Sequence, residues 1–156
     1  MKIVIIADSL LMFRPDEGTN YEHTYGYLLK RELQKTGMTC ILCPKRKNDT
    51  AIQSEPDNLL YDITAHDPDI VCVQLGIVDC APRLFTQKQY EIVRHLPAFI
   101  RKAAIFILRR NRKLVTRLFP KEYVKQDDFK KNLQKILDTI KKCEATPVLI
   151  NIAKPA

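Results

Sequence analysis

The chain has 156 residues, 46% of them hydrophobic, which is the size and composition of one domain with a proper core. It holds no run of eighteen apolar residues, which excludes an ordinary membrane-spanning helix. The formal charge of +8 is unevenly placed: residues 94–125 carry ten Lys or Arg and one acid, Glu122, while the rest is close to neutral, a pattern that speaks for a local anionic contact and against a protein that coats nucleic acid.

The apolar run Lys2–Ala7 predicts a buried first strand, and Asp8-Ser9-Leu10 a loop at its carboxyl end. The run is too short for a signal peptide and ends in an acid, so the expected compartment is the cytoplasm. A loop marked by Arg14-Pro15-Asp16-Glu17-Gly18 leads to a helix from about Thr24 to Thr36. Its apolar stripe is Tyr25, Leu28, Leu29 and Leu33, and Gly37 stops it. A second strand covers Met38–Cys43 and ends at Pro44. Residues 45–58 read as polar loop, with one short helix around Leu59–Ala65. Asp69–Leu75 is the third strand. Pro97 and Pro120 bracket a basic helix from Ala98 to about Leu118. A clearer helix runs from about Asp127 to Glu144, with Asp127 or Asp128 as its cap. Pro147–Ile152 is the fourth strand.

Strands alternating with helices imply a parallel sheet with helices on both faces, a three-layer α/β/α sandwich of flavodoxin-like type. Ligands of such sheets bind outside the carboxyl ends of the strands. Two short blocks lie there: Asp8-Ser9-Leu10 after the first strand and Gly76-Ile77-Val78-Asp79 after the third. The chain thereby resembles the SGNH/GDSL hydrolases, whose first block reads Gly-Asp-Ser-Leu and whose third reads Gly-x-Asn-Asp. Ala7 stands in place of the first glycine and Val78 in place of the asparagine. The stretch Gly76 to Arg83 is similar to a divergent branch associated with bacterial surface-polysaccharide loci. The resemblance spans nearly the whole chain and implies one SGNH-type domain over 1–156.

The resemblance implies a serine ester hydrolase or acyltransferase acting on O-acyl groups of carbohydrates. Ser9 is then the nucleophile, Asp8 a support of its loop, and Gly76 and Asp79 part of the oxyanion loop. Serine needs an adjacent base, which the family supplies from a late Asp-x-x-His. That motif occurs nowhere in this sequence. The sheet is therefore expected to lack its last strand, the domain to be incomplete at its C-terminus or to have lost its base. Of the three histidines, His23 and His95 sit in no block, and His66 precedes the third strand, on the edge away from Ser9. The loop Lys45-Arg46-Lys47-Asn48-Asp49-Thr50 contains no glycine, so Asn48 or Arg46 is left to stand in as an oxyanion donor. Arg14, Asn48 and Arg83 are candidate substrate-binding residues, the arginines because a guanidinium suits phosphate, carboxylate or a sugar acid.

A non-catalytic SGNH-like binding or accessory protein of polysaccharide biosynthesis is the competing reading. Residues 98–118 mix large apolar and basic side chains. They fit either a helix packed on the sheet or one lying on an anionic membrane surface, and a nucleic-acid patch is the least favoured use. No metal or organic cofactor is expected. Cys40 and Cys43 have no second pair and no nearby histidine to complete a zinc site, and no glycine-rich phosphate loop is present.

Overall fold

The computed structural model describes residues 1–15, 18–80 and 124–150, with a few positions between 92 and 111. Arg83 and most of 98–118, the two cationic features placed there by the sequence, lie outside the described residues; Ile100 and Phe106 are described individually and are exposed.

Four strands form one parallel sheet: β1 (Lys2–Ala7), β2 (Thr39–Pro44), β3 (Ile70–Gln74) and β4 (Thr146–Leu149), in the order β2-β1-β3-β4. The β1 register pairs Ala7 with Pro44 on one side and with Gln74 on the other. Those partners make β1 a central strand, which explains its unbroken apolar run. Successive side chains of β1 go to opposite faces. Val4 and Ile6 join Leu59, Ile63, Val71, Val73, Ile136 and Ile140 in one core. Ile3, Ile5 and Ala7 join Leu11 and Cys40 in the other, with Leu33, Met38, Ile70 and Cys72 packed against them. The sheet is thus flanked by helices as the sequence predicts.

The helices are α1 (Tyr25–Lys35), α2 (Thr50–Gln53), α3 (Pro56–Asp62), α4 (Ile77–Cys80) and α5 (Gln126–Lys142). Thr24 caps α1 by accepting from the Tyr27 amide at 3.3 Å, and Gly37, at φ +79°, provides the left-handed stop. Of the expected apolar stripe of α1, Leu33 packs against the core, while Tyr25, Leu28 and Leu29 are exposed and Gly26 is buried against Leu11. Residues 45–58 are not simply loop. Asp49 caps α2 by accepting from the Ile52 amide at 2.8 Å, and Pro56 opens α3 at its first position. Asp127 and Asp128 lie in the first turn of α5, while Lys125 holds the cap position. The two acids there complement the helix dipole without capping an amide. Among the described residues no helix is long and apolar enough to cross a membrane.

Candidate active site

The strand order reverses about β1, because the chain runs from β1 outward to β2 and then crosses back to β3 on the far side. Such a switch point leaves a crevice outside the carboxyl ends of the two strands. Ser9 and Gly76 each lie two residues beyond the paired positions Ala7 and Gln74, so both blocks read from the sequence flank that crevice.

Asp8 is fully buried, and its Oδ1 accepts from the Leu10 amide at 2.8 Å. This bond starts a single 3-10 turn over Ser9–Leu11, closed by the Leu11 amide on Asp8 O and the Met12 amide on Ser9 O. The turn leaves Ser9 half-buried and drives Leu11 into the core. Burial pushes the Asp8 carboxyl above the usual carboxylate range, against the Leu10 hydrogen bond and the charge of Arg14, which lower it. Asp79 adds a smaller upward push. The Tyr25 phenol is raised to about 12 by burial of its hydroxyl and then by the Asp8 charge.

Gly76 has φ +117°, a backbone conformation closed to residues with a Cβ, which accounts for glycine at the start of the second block. Its carbonyl accepts from the Cys80 amide at 2.9 Å and begins α4. Val78 is buried and offers no side-chain donor at the position of the motif's asparagine. Asp79 is fully buried and its Oδ1 accepts twice, from the Thr50 amide at 2.9 Å and from Thr50 Oγ1 at 2.5 Å. Asp79 therefore ties the loop after β3 to the start of α2. No local pattern in the sequence points to Thr50 as its partner, 29 positions away.

Asn48, expected as a substrate-binding residue or stand-in oxyanion donor, has its amide turned inward. It is fully buried, and its Nδ2 donates to Ala7 O at 3.3 Å and to Gln53 Oε1 at 2.9 Å. Both amide protons are thus used inside the protein, so Asn48 braces the end of β1. Gln53 continues the chain of bonds to Asp62, which also takes the Lys45 ammonium; Lys45 donates to Asn58 as well.

A cleft of about 370 Å³ opens beside Ser9. One wall is the loop after β1, with Met12, Phe13, Arg14 and Pro15, and the other is Arg46 and Lys47 from the loop after β2. Arg14 is held by an antiparallel bridge to Thr19, with bonds of 2.9 and 3.0 Å. Of the candidate residues the structure brings Ser9 and Arg14 to this cleft and sets Asp8, Asn48 and Asp79 behind it. His66 lies at the other end of the sheet, where its carbonyl takes the Lys2 ammonium. Among the described residues no group of three His, Cys, Asp or Glu is arranged to hold a metal.

With 13% identity, TesA superposes at a TM-score of 0.59 over 99% of this chain and 62% of TesA. A catalytic serine-to-alanine mutant of Axe2, an acetylxylan esterase from Geobacillus stearothermophilus, does so at 0.56 with 16% identity, over 95% of this chain and 57% of Axe2. The chain has the SGNH hydrolase fold. It spans about three fifths of the length of these two structures. No protein-family model and no curated protein sequence matches it.

Proposed function

We propose that this chain carries the nucleophile-bearing part of an ester hydrolase or acyltransferase that acts on O-acyl groups of carbohydrates. The observation behind this reading is the position of Ser9: half-buried, on a short capped turn at the β1/β3 switch point, and open to a cleft. The SGNH fold supports ester chemistry, and the likeness to an acetylxylan esterase supports a carbohydrate ester as substrate. Ser9 Oγ would attack the acyl carbonyl carbon as its proton passes to a general base, the part played in the family by the late Asp-x-x-His histidine that this sequence does not contain. The negative charge that develops on the carbonyl oxygen falls to backbone amides at Ser9 and Gly76. Asp8 shapes the turn, and Asp79 holds the neighbouring loop in register through Thr50. Val78 supplies no third donor, and the loss of one such donor typically costs about 10²–10³ in rate.

That valine favours a second reading, a carbohydrate-binding accessory protein with the same fold and no turnover. Ser9-dependent release of acetate from acetylated xylo-oligosaccharides separates the two. The hydrolase reading expects slow turnover, well below that of an ordinary esterase, which disappears in Ser9→Ala. Turnover that survives Ser9→Ala, or its absence while the oligosaccharide still binds, refutes it.

A further inference from the structure

We infer that Gln74 and Tyr25 form a hydroxyl-binding subsite on the β3 flank of Ser9, which takes a free sugar hydroxyl beside the acylated position, with Gln74 as its specificity residue. The inference rests on the carbohydrate-ester reading for its ligand. The cleft between the loops after β1 and β2 covers only the other flank of Ser9. β3 is apolar from Ile70 to Val73 and then ends on an amide, Gln74. That residue is the last of β3 to pair with β1, opposite Ala7, and lies two positions before Gly76. Its side chain therefore stands at the floor of the switch-point crevice. Gln74 is 8% exposed, and its Oε1 has no hydrogen-bond partner. Buried side-chain oxygens are nearly always bonded, because leaving the bond unmade costs more than making it returns. Nothing in the packing of β3 calls for an amide here, since an apolar side chain would end the strand without that cost.

Two further acceptors lack a partner, Asn48 Oδ1 and Asp79 Oδ2. Both residues are fully enclosed, and each is tied to the protein through its other side-chain atom. Of these three residues only Gln74 keeps an edge at the surface. Rotation about the last bond of its side chain is soft and roughly two-fold, and it brings Oε1 to that edge.

Tyr25 reaches the same place from α1. The pleat sets Gln74 on the face of β3 that carries Ile70 and Cys72, the face that packs with Leu11 and with Leu33 of α1. The close approach of Gly26 to Leu11 holds the start of α1 down on the Ser9 turn. Tyr25, one residue earlier, is acted on by Asp8 at the end of β1 and by Cys72 in β3, which sets its phenol across these two strands. The side chain is partly exposed, and its hydroxyl, raised to about 12, stays a protonated donor through the neutral range. A sugar hydroxyl seated between the two residues donates to Gln74 Oε1 and accepts from the Tyr25 phenol, so the buried oxygen gains its missing donor.

Equilibrium binding to the full chain carrying Ser9→Ala tests this without turnover, with methyl 3-O-acetyl-β-xyloside and its 2-deoxy and 4-deoxy analogues as probes. One deoxy analogue should bind about five- to tenfold more weakly than the xyloside, the scale of one neutral hydrogen bond. Gln74→Met, close to glutamine in volume, should erase that preference while leaving the binding of the same deoxy analogue unchanged. Tyr25→Phe, which removes only the hydroxyl, should reduce the preference. Which analogue loses affinity identifies the hydroxyl. A merely structural role of Gln74 predicts a uniform loss for all three probes, and that result overturns the inference. So do equal binding of all three, binding of none, and a preference that survives Gln74→Met. Should Gln74→Met fail to fold, Tyr25→Phe decides, and a preference it leaves unchanged overturns the inference. Ser9-dependent turnover of the xyloside without a Gln74-dependent preference refutes the subsite and leaves the hydrolase reading standing. A Gln74-dependent preference without Ser9-dependent turnover upholds the subsite and refutes the hydrolase reading.

Discussion

Replacing Gly26 by alanine should destabilise the protein although alanine is the better helix former. A Cβ built on Gly26 would lie 2.6 Å from Leu11 Cδ1, 2.7 Å from its Cγ and 3.3 Å from its Cδ2. Two of those approaches are far inside van der Waals contact, so Leu11 must shift. It has little room to do so, being 1% exposed and packed with Ile3, Ile5 and Ala7. Overpacking of this kind costs about 1–3 kcal/mol. Alanine returns at most about 1 kcal/mol of helix propensity, and less here because Gly26 is the second residue of α1. The expected net loss is roughly 0.5–2 kcal/mol, read by urea denaturation. Leu11→Ala removes the obstructing atoms and should itself cost about 2–5 kcal/mol. In that background Gly26→Ala should change sign and become stabilising by up to about 1 kcal/mol. Gly26→Ala that stabilises the parent protein, or has the same effect in both backgrounds, would falsify the packing argument. Leu11 is two residues from Ser9, so the same substitution should also slow labelling of Ser9 by a serine-directed phosphonate.

Two further outcomes follow from the buried carboxylates. Asp79→Ala leaves the Thr50 amide and hydroxyl without their shared acceptor, and should cost roughly 2–4 kcal/mol in denaturant unfolding; a loss below about 0.5 kcal/mol would show that the clasp contributes nothing. Asp8 is raised above its ordinary 3.8 by burial, so the folded protein holds that proton more tightly than the unfolded chain does. The penalty for its charge is absent below about pH 3.8 and grows as pH rises through the raised value. Asp8→Asn keeps an acceptor for the Leu10 amide and should be more stable than the parent at pH 7, with the difference vanishing near pH 3. A variant less stable than the parent at pH 7 and equal to it at pH 3 would reverse the sign and refute the burial argument.

The local rules of the chain reach a definite distance into this structure. The unbroken apolar run of β1 announces a buried strand, and Asp8-Ser9-Leu10 announces a loop at its carboxyl end. Gly76 announces the end of the third strand and the start of the second block. Each is a statement about a residue and its immediate neighbours, where steric and hydrogen-bond rules act within a few positions. The stripe on α1 shows where such rules stop. Tyr25, Leu28 and Leu29 are apolar at helical spacing, yet of that stripe the helix packs Leu33 on the core and sets Gly26 against Leu11, where close approach selects a residue with no side chain. Residues 45–58 carried capping signals at Asp49 and Glu55-Pro56 but too few apolar positions for a periodic pattern, so α2 and α3 were hidden among polar residues. Asn48 reads as a polar loop residue available to substrate and is buried in the fold, since its partners Ala7 and Gln53 are supplied by a strand and a helix. The cleft belongs wholly to the tertiary level. Ser9, Arg14, Arg46 and Lys47 meet only because β2 and β1 pair with Ala7 opposite Pro44, and Asp79 reaches Thr50 only because β3 crosses to the far side of β1. Pairing of distant strands is decided by burial of both sheet faces at once, a quantity spread over the whole chain and written at no single position.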